Sequence, residues 1–281
     1  MTLLASLILT AGLAATQTAP ATSPAAAGIP PGESGAKQAI ESTTRHAEYA
    51  AVAVPGGTTP VNTYVVFPER KDKAPVVIVI QEIFGLTDWI KGVADTLAAD
   101  GFIAVAPDLL SGKGPGGGGT EAFEGRDAVI QAVRALPKEE VAARLDAVRA
   151  YATKLPASSG RSATIGFCWG GAVSFLYAAT ATPPLDAAVV YYGSSPDAEK
   201  LASLKTPVLG LYGADDARVN TTIEPARAAI AAVKGSYETE IYEGAGHGFL
   251  RGQQERDGAN LRAAEKAWPR TIEFLKKYLE K

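Results

Sequence analysis

Gly166-Phe167-Cys168-Trp169-Gly170-Gly171 follows the apolar, strand-like approach Ala163-Thr164-Ile165 and leads into a helical pattern, so Cys168 stands where a strand turns sharply into a helix. A residue carried on such a turn needs glycines two positions before and after it, because a Cβ there would collide with the neighbouring strand or the helix start. Gly166 and Gly170 fill both places. The helix that follows offers unpaired backbone N–H groups and the positive end of its dipole, which favour a thiolate and later an oxyanion. Cys168 is the one cysteine of the 281-residue chain and is read as a candidate nucleophile; the alternative is a small buried hydrophobe.

Outward from that turn, strand-like runs at residues 49–54, 63–67, 76–80, 102–106, 163–167, 187–192, 208–212 and 238–242 are mostly separated by helical patterns. Those patterns fall at residues 88–99, 139–155, 170–179, 224–233 and 259–280. The run Pro75-Val76-Val77-Ile78-Val79-Ile80 lacks polar alternation, as expected of a strand covered on both faces. This order predicts an α/β-hydrolase fold, a doubly wound, mostly parallel sheet of about eight strands with helices on both faces. A glycine-rich insert at residues 112–119 is read either as a flap near the pocket mouth or as a tolerated surface loop.

A thiol with a pKa near ~8.5 is little ionised at neutral pH and needs a base. The chain has two histidines. His46, in Thr43-Thr44-Arg45-His46, ends a polar stretch and is read as solvated; His247 lies in the glycine-rich Gly244-Ala245-Gly246-His247-Gly248-Phe249, on a loop after a strand. The acid that orients the histidine is expected between nucleophile and base. In Gly213-Ala214-Asp215-Asp216-Ala217-Arg218-Val219, Asp216 is preferred, three residues from both the glycine and the apolar Val219, and Asp215 stays open. Gln81-Glu82-Ile83 ends the strand at 76–80, which makes Glu82 either a surface acid or a pocket group that takes or holds the thiol proton. Oxyanion-hole donors are expected from the backbone N–H groups of Ile83 and Trp169.

These segments resemble the dienelactone hydrolases. Gln81-Glu82-Ile83-Phe84-Gly85, the Cys168 turn, the Asp216 loop and the His247 loop look like that family's motifs in the same order, over residues 52–279. The resemblance implies a Cys168–Asp216–His247 triad and a Glu82 that pairs with the resting thiol until substrate displaces it. It also implies two arginines that hold a substrate carboxylate. Arg251 occupies one position, four residues after His247, while the loop expected to carry the other reads Ser111-Gly112-Lys113-Gly114-Pro115. Lys113 is the substitute candidate there, though without a guanidinium's bidentate fork; a solvated loop lysine is the alternative. Tyr191 and Tyr192 resemble the family's Tyr-Tyr-Gly segment, with Tyr192 assigned to the pocket and core packing accounting for at least one of the two.

A net charge of −3 with 20% charged residues offers no basic stripe for nucleic acid. No cofactor or metal is expected, since one cysteine and two distant histidines make no ligand cluster. Residues 1–27 read as a signal peptide and flexible leader, 28–47 as a polar N-terminal segment and 48–281 as the catalytic domain. The apolar run at residues 3–15 is shorter than the ~20 residues a membrane span takes. A periplasmic or secreted location is therefore expected, or a cytoplasmic one if the run is no signal. The expected activity is hydrolysis of a small-molecule lactone or activated enol or aryl ester through a cysteine thioester. The alternatives are a general carboxylesterase of the same fold and a non-catalytic exported binding protein.

Overall fold

Successive residues of the apolar run before Glu82 point to opposite sides of a sheet. The computed structural model, which describes residues 28–280, gives each side its own helical layer. The sheet has eight strands, β1 (Ala47–Val52), β2 (Val61–Val66), β3 (Ala74–Ile80), β4 (Ile103–Pro107), β5 (Ser158–Phe167), β6 (Ala187–Tyr191), β7 (Val208–Gly213) and β8 (Tyr237–Tyr242). Around it run α1 (Glu33–Ser42), α2 (Asp88–Ala99), α3 (Arg126–Ala135), α4 (Lys138–Ala152), α5 (Trp169–Thr180), α6 (Ala198–Leu201), α7 (Ala217–Asn220), α8 (Ile223–Ala232) and α9 (Ala259–Leu279). On β3, Val77 and Val79 pack with Trp89, Leu97, Trp268 and Phe274 beneath α1, α2 and α9. Val76, Ile78 and Ile80 pack with Leu145, Val148, Phe175 and Ile230 beneath α4, α5 and α8. Full burial of such side chains contributes roughly 1.5–3 kcal/mol each before conformational entropy is set against it.

The strand order is β1-β2-β4-β3-β5-β6-β7-β8. β1 pairs antiparallel with β2 and β2 with β4, and the remaining neighbours are parallel, as an α/β-hydrolase sheet requires. The chain leaves β3 toward one edge and β5 toward the other, so a crevice opens at the C-terminal ends of these two strands. Thr87 starts α2 with its side chain accepting from Ile90 N–H at 3.4 Å. β5 begins earlier than the apolar pattern predicts, because Ser158 pairs with Ala74 across a register shift.

Two segments outside the main sheet have defined partners. The polar segment at 28–47 is joined to the domain: α1 buries Ala36 in the core beneath α2, and Trp89 Nε1–H donates to the Pro31 carbonyl at 3.0 Å. Ala36, Ala39 and Ile40 do stand at helical spacing, but they span little more than one turn and two of the three are alanines, a pattern too short to announce the helix. The glycine-rich insert is tied down, because the Asp108 carboxylate accepts from the backbone N–H and hydroxyl of Thr120, both at 2.7 Å. Thr120 Oγ1 in turn accepts from Leu86 N–H at 3.0 Å. The leader expected at 1–27 lies outside the described residues. Among the described residues, no helix is long and apolar enough to cross a membrane.

Candidate active site

Cys168 sits at the N-terminus of α5 with φ 56° and ψ −115°, a left-handed conformation that a non-glycine residue adopts only under strong local constraint. The constraint is visible on both sides. A Cβ on Gly166 would overlap the Gly170 carbonyl, and a Cβ on Gly170 would overlap the carbonyls of Ile80, the last residue of β3, and Gln81 just beyond it. Cys168 N–H donates to the Tyr191 carbonyl at 3.0 Å, locking the turn to β6.

After β8, His247 places Nδ1 2.5 Å from Asp216 Oδ2. A carboxylate accepts only, so it sets the Nδ1–H tautomer and leaves Nε2 with a free lone pair. Asp216 is buried and its other oxygen accepts from Val219 N–H at the start of α7. Asp215 instead meets Arg256 Nη1 at 2.5 Å, so the structure divides the two neighbouring acids between histidine and a surface arginine. His46 lies at the surface, 3.3 Å from Glu48. Asp216→Asn is expected to lower kcat/KM about 10²-fold or more by presenting the wrong tautomer, with Asp215→Asn within about twofold of the parent; steady-state kinetics on an aryl ester checks both.

Tyr191 and Tyr192 are both fully buried but serve different places. Tyr191 shares a 2.7 Å hydrogen bond with Thr271 of α9, so it belongs to the core. Tyr192, at φ 40°, turns against the His247 ring with centroids 5.2 Å apart. Its buried hydroxyl has no hydrogen-bond partner among the described residues and lies within electrostatic reach of Glu82, Arg251 and Cys168.

Glu82 is buried at the end of β3, with Oε2 2.8 Å from Arg251 Nε in an ion pair whose alignment falls short of a hydrogen bond. Burial pushes its carboxyl up to about 7, against the pull of Arg251. The Cys168 thiol is pushed up to about 11, first by burial and then by Glu82, despite the Trp169 backbone N–H and the cations Arg218 and Arg251. Burial and Glu82 both favour the protonated thiol over the thiolate. The helix N-terminus, expected to favour the thiolate, is outweighed by desolvation and an adjacent carboxylate. Ile83 and Trp169 follow Glu82 and Cys168 directly, and their side chains meet in one apolar cluster with Leu110, Val129 and Val133. A cavity of about 470 Å³, lined by Leu136, Leu145, Val173 and Tyr177 among others, shares Trp169 with the site.

Lys113 is a correction. Its Nζ pairs with Glu140 at 2.8 Å in a cleft lined by Val54, Thr59 and Arg144, because the tied-down insert turns it toward α4. A second guanidinium does lie beside Arg251, that of Arg126, the first residue of α3. It stacks 3.7 Å from the Phe84 ring centroid, while Arg251 lies 5.2 Å from the same ring. No sequence spacing pointed to Arg126, because its place depends on how α3 packs over the loop that ends β3.

Residues 61–279 match the dienelactone hydrolase family. A carboxymethylenebutenolidase of Pseudomonas putida is 33% identical over 211 residues, covering 73% of this chain and 86% of its own. Among solved structures, a Klebsiella pneumoniae chain classed with the dienelactone hydrolases is 30% identical with a TM-score of 0.72, covering 84% of this chain and all of its own (100%). A dienelactone hydrolase-like promiscuous phosphotriesterase from metagenomic libraries is 25% identical with a TM-score of 0.68 at the same coverage, 84% and 100%.

Proposed function

The chain belongs to the dienelactone hydrolase family, and from that premise we propose that it hydrolyses a lactone or activated enol or aryl ester with Cys168 as nucleophile. The observation that carries the reading is the 2.5 Å Asp216–His247 pair, on the loops after β7 and β8, at the same C-terminal edge of the sheet as a cysteine held on a strained strand-to-helix turn after β5. The Cys168 proton passes to His247 Nε2 or to Glu82, and the sulfur attacks the carbonyl carbon. The C–S bond forms as the carbonyl electrons move to oxygen, which the Ile83 and Trp169 N–H groups stabilise. Collapse expels the enolate or phenolate, which takes the proton, and leaves a thioester. His247 then removes a proton from water, the hydroxide adds to the thioester, and the thiolate departs and is reprotonated.

Sulfur constrains the substrate. A thiolate leaves a tetrahedral intermediate more easily than an alkoxide does, so attack on an alkyl ester reverts, whereas an enolate or phenolate competes. An enol lactone is accordingly expected to turn over at least tenfold faster than its saturated analogue. Equal rates in a side-by-side assay count against the cysteine mechanism.

Glu82 has a directional consequence. Above about pH 7 its charge opposes ionisation of Cys168, and below that it is protonated and the opposition fades. Glu82→Gln is thus expected to speed iodoacetamide alkylation of Cys168 several-fold at pH 8, with the difference closing below pH 7. A variant that alkylates no faster at pH 8 removes Glu82 from the thiol's surroundings.

A further inference from the structure

Glu33, the first residue of α1, bridges two guanidiniums at the edge of the crevice. Its Oε1 lies 3.1 Å from Arg126 Nη2, and its Oε2 bonds Arg251 Nη1. Arg251 turns its Nε against Glu82, and both arginines lie against Phe84, two residues beyond Glu82. Two converging guanidiniums over one aromatic ring form a carboxylate-binding arrangement, here filled by the chain's own carboxylate. The segment carrying Glu33 is held in place independently of that carboxylate. Glu33 N–H donates to the Arg251 carbonyl at 3.0 Å, and Gln253 Nε2–H donates to the Pro30 carbonyl at 2.7 Å. Gln254 Nε2–H donates to Ser34 Oγ at 3.0 Å, and Trp89 donates to Pro31.

We propose that Glu33 is a built-in occupant of this anion site and a specificity-determining residue: it selects against substrates that bear a free carboxylate and in favour of uncharged esters and lactones. A tethered ligand competes at an effective concentration on the order of millimolar or above, so a free carboxylate must displace it and its apparent affinity falls accordingly. Charge balance points the same way. With Glu33 in place, two cations face two acids when Glu82 is ionised, and the site has no net attraction for an anion. Without Glu33 it carries a net positive charge, and more so as Glu82 protonates.

The binding half of the proposal stands without any catalytic reading, while the selectivity half rests on the ester-hydrolase reading. The test is calorimetric titration of benzoate into the full chain and its variants at pH 7.5 and low salt. Glu33→Gln is expected to bind benzoate at least tenfold more tightly than the parent, and Glu33→Gln/Arg126→Gln to lose that gain. Glu41→Gln, on the same helix and paired with Lys37, controls for net charge and is expected to bind as the parent does. Equal benzoate affinity in parent and Glu33→Gln, or a gain that persists without Arg126, overturns the proposal. In parallel, the kcat/KM ratio of a carboxylate-bearing aryl ester to a neutral one is expected to rise tenfold in Glu33→Gln, chiefly through KM. An unchanged ratio alongside tighter benzoate binding overturns the selectivity half. Tighter benzoate binding in a protein that cleaves neither ester leaves the anion site standing and sinks the hydrolase reading instead.

Discussion

Cys168→Ala is expected to lower kcat/KM for an aryl ester by on the order of 10³-fold or more while leaving the fold intact. The alanine keeps a Cβ in the conformation Cys168 already holds and removes only the sulfur, so circular dichroism and the denaturation midpoint should change little. Activity should collapse because His247 then has nothing to deprotonate except water, which must attack an ester directly. Cys168→Ser is the sharper comparison. A hydroxyl ionises less readily than a thiol, and the site already holds its thiol up to about 11 by burial and by Glu82. Serine therefore starts from a deeper deficit, and its activity is expected far below the parent's.

The second large effect concerns folding. Gly170→Ala would press a methyl group into the carbonyls of Ile80 and Gln81, both backbone atoms of the central strand and the loop that carries Glu82. Backbone cannot swing aside as a side chain can, so either α5 lifts or β3 shifts. A cost of roughly 3 kcal/mol is expected, a large share of a domain's net stability. Urea denaturation checks it, and a midpoint unchanged from the parent would mean that the turn has slack the structure does not show. Loss of activity should exceed loss of stability, because any shift of β3 against α5 moves Glu82 and Ile83 relative to Cys168.

Much of this arrangement was legible in the residues because its demands are local. A strand-to-helix turn that must pass close to its neighbour declares itself through Gly166 and Gly170. A strand buried on both faces declares itself through unbroken valine and isoleucine at 75–80. The Asp216–His247 pairing was also within reach, since each lies on the loop after a strand and parallel strands bring such loops to one edge. What escaped is what depends on distant packing. Arg126 reaches the crevice only because α3 lies over Ile83 and Trp169, and Glu33 only because α1 docks on α2. A lysine in the expected loop looked like the second cation, but the hold of Asp108 on Thr120 turns that loop toward α4 and Glu140. The upward push on the Cys168 thiol was equally hidden, since a helix N-terminus is readable from sequence and the depth of burial around a thiol is not.

The claim on which all of this turns is that Cys168 carries the acyl group between the two halves of the reaction. Acid-quenched intact-mass and peptide mass spectrometry during turnover of an aryl ester tests it most directly. A mass increase equal to the acyl group is expected on the peptide containing Cys168, formed with about one equivalent of released phenol, labile to hydroxylamine and missing in Cys168→Ala. Full-rate turnover with no acyl adduct on that peptide, or an undiminished rate in Cys168→Ala, would contradict it.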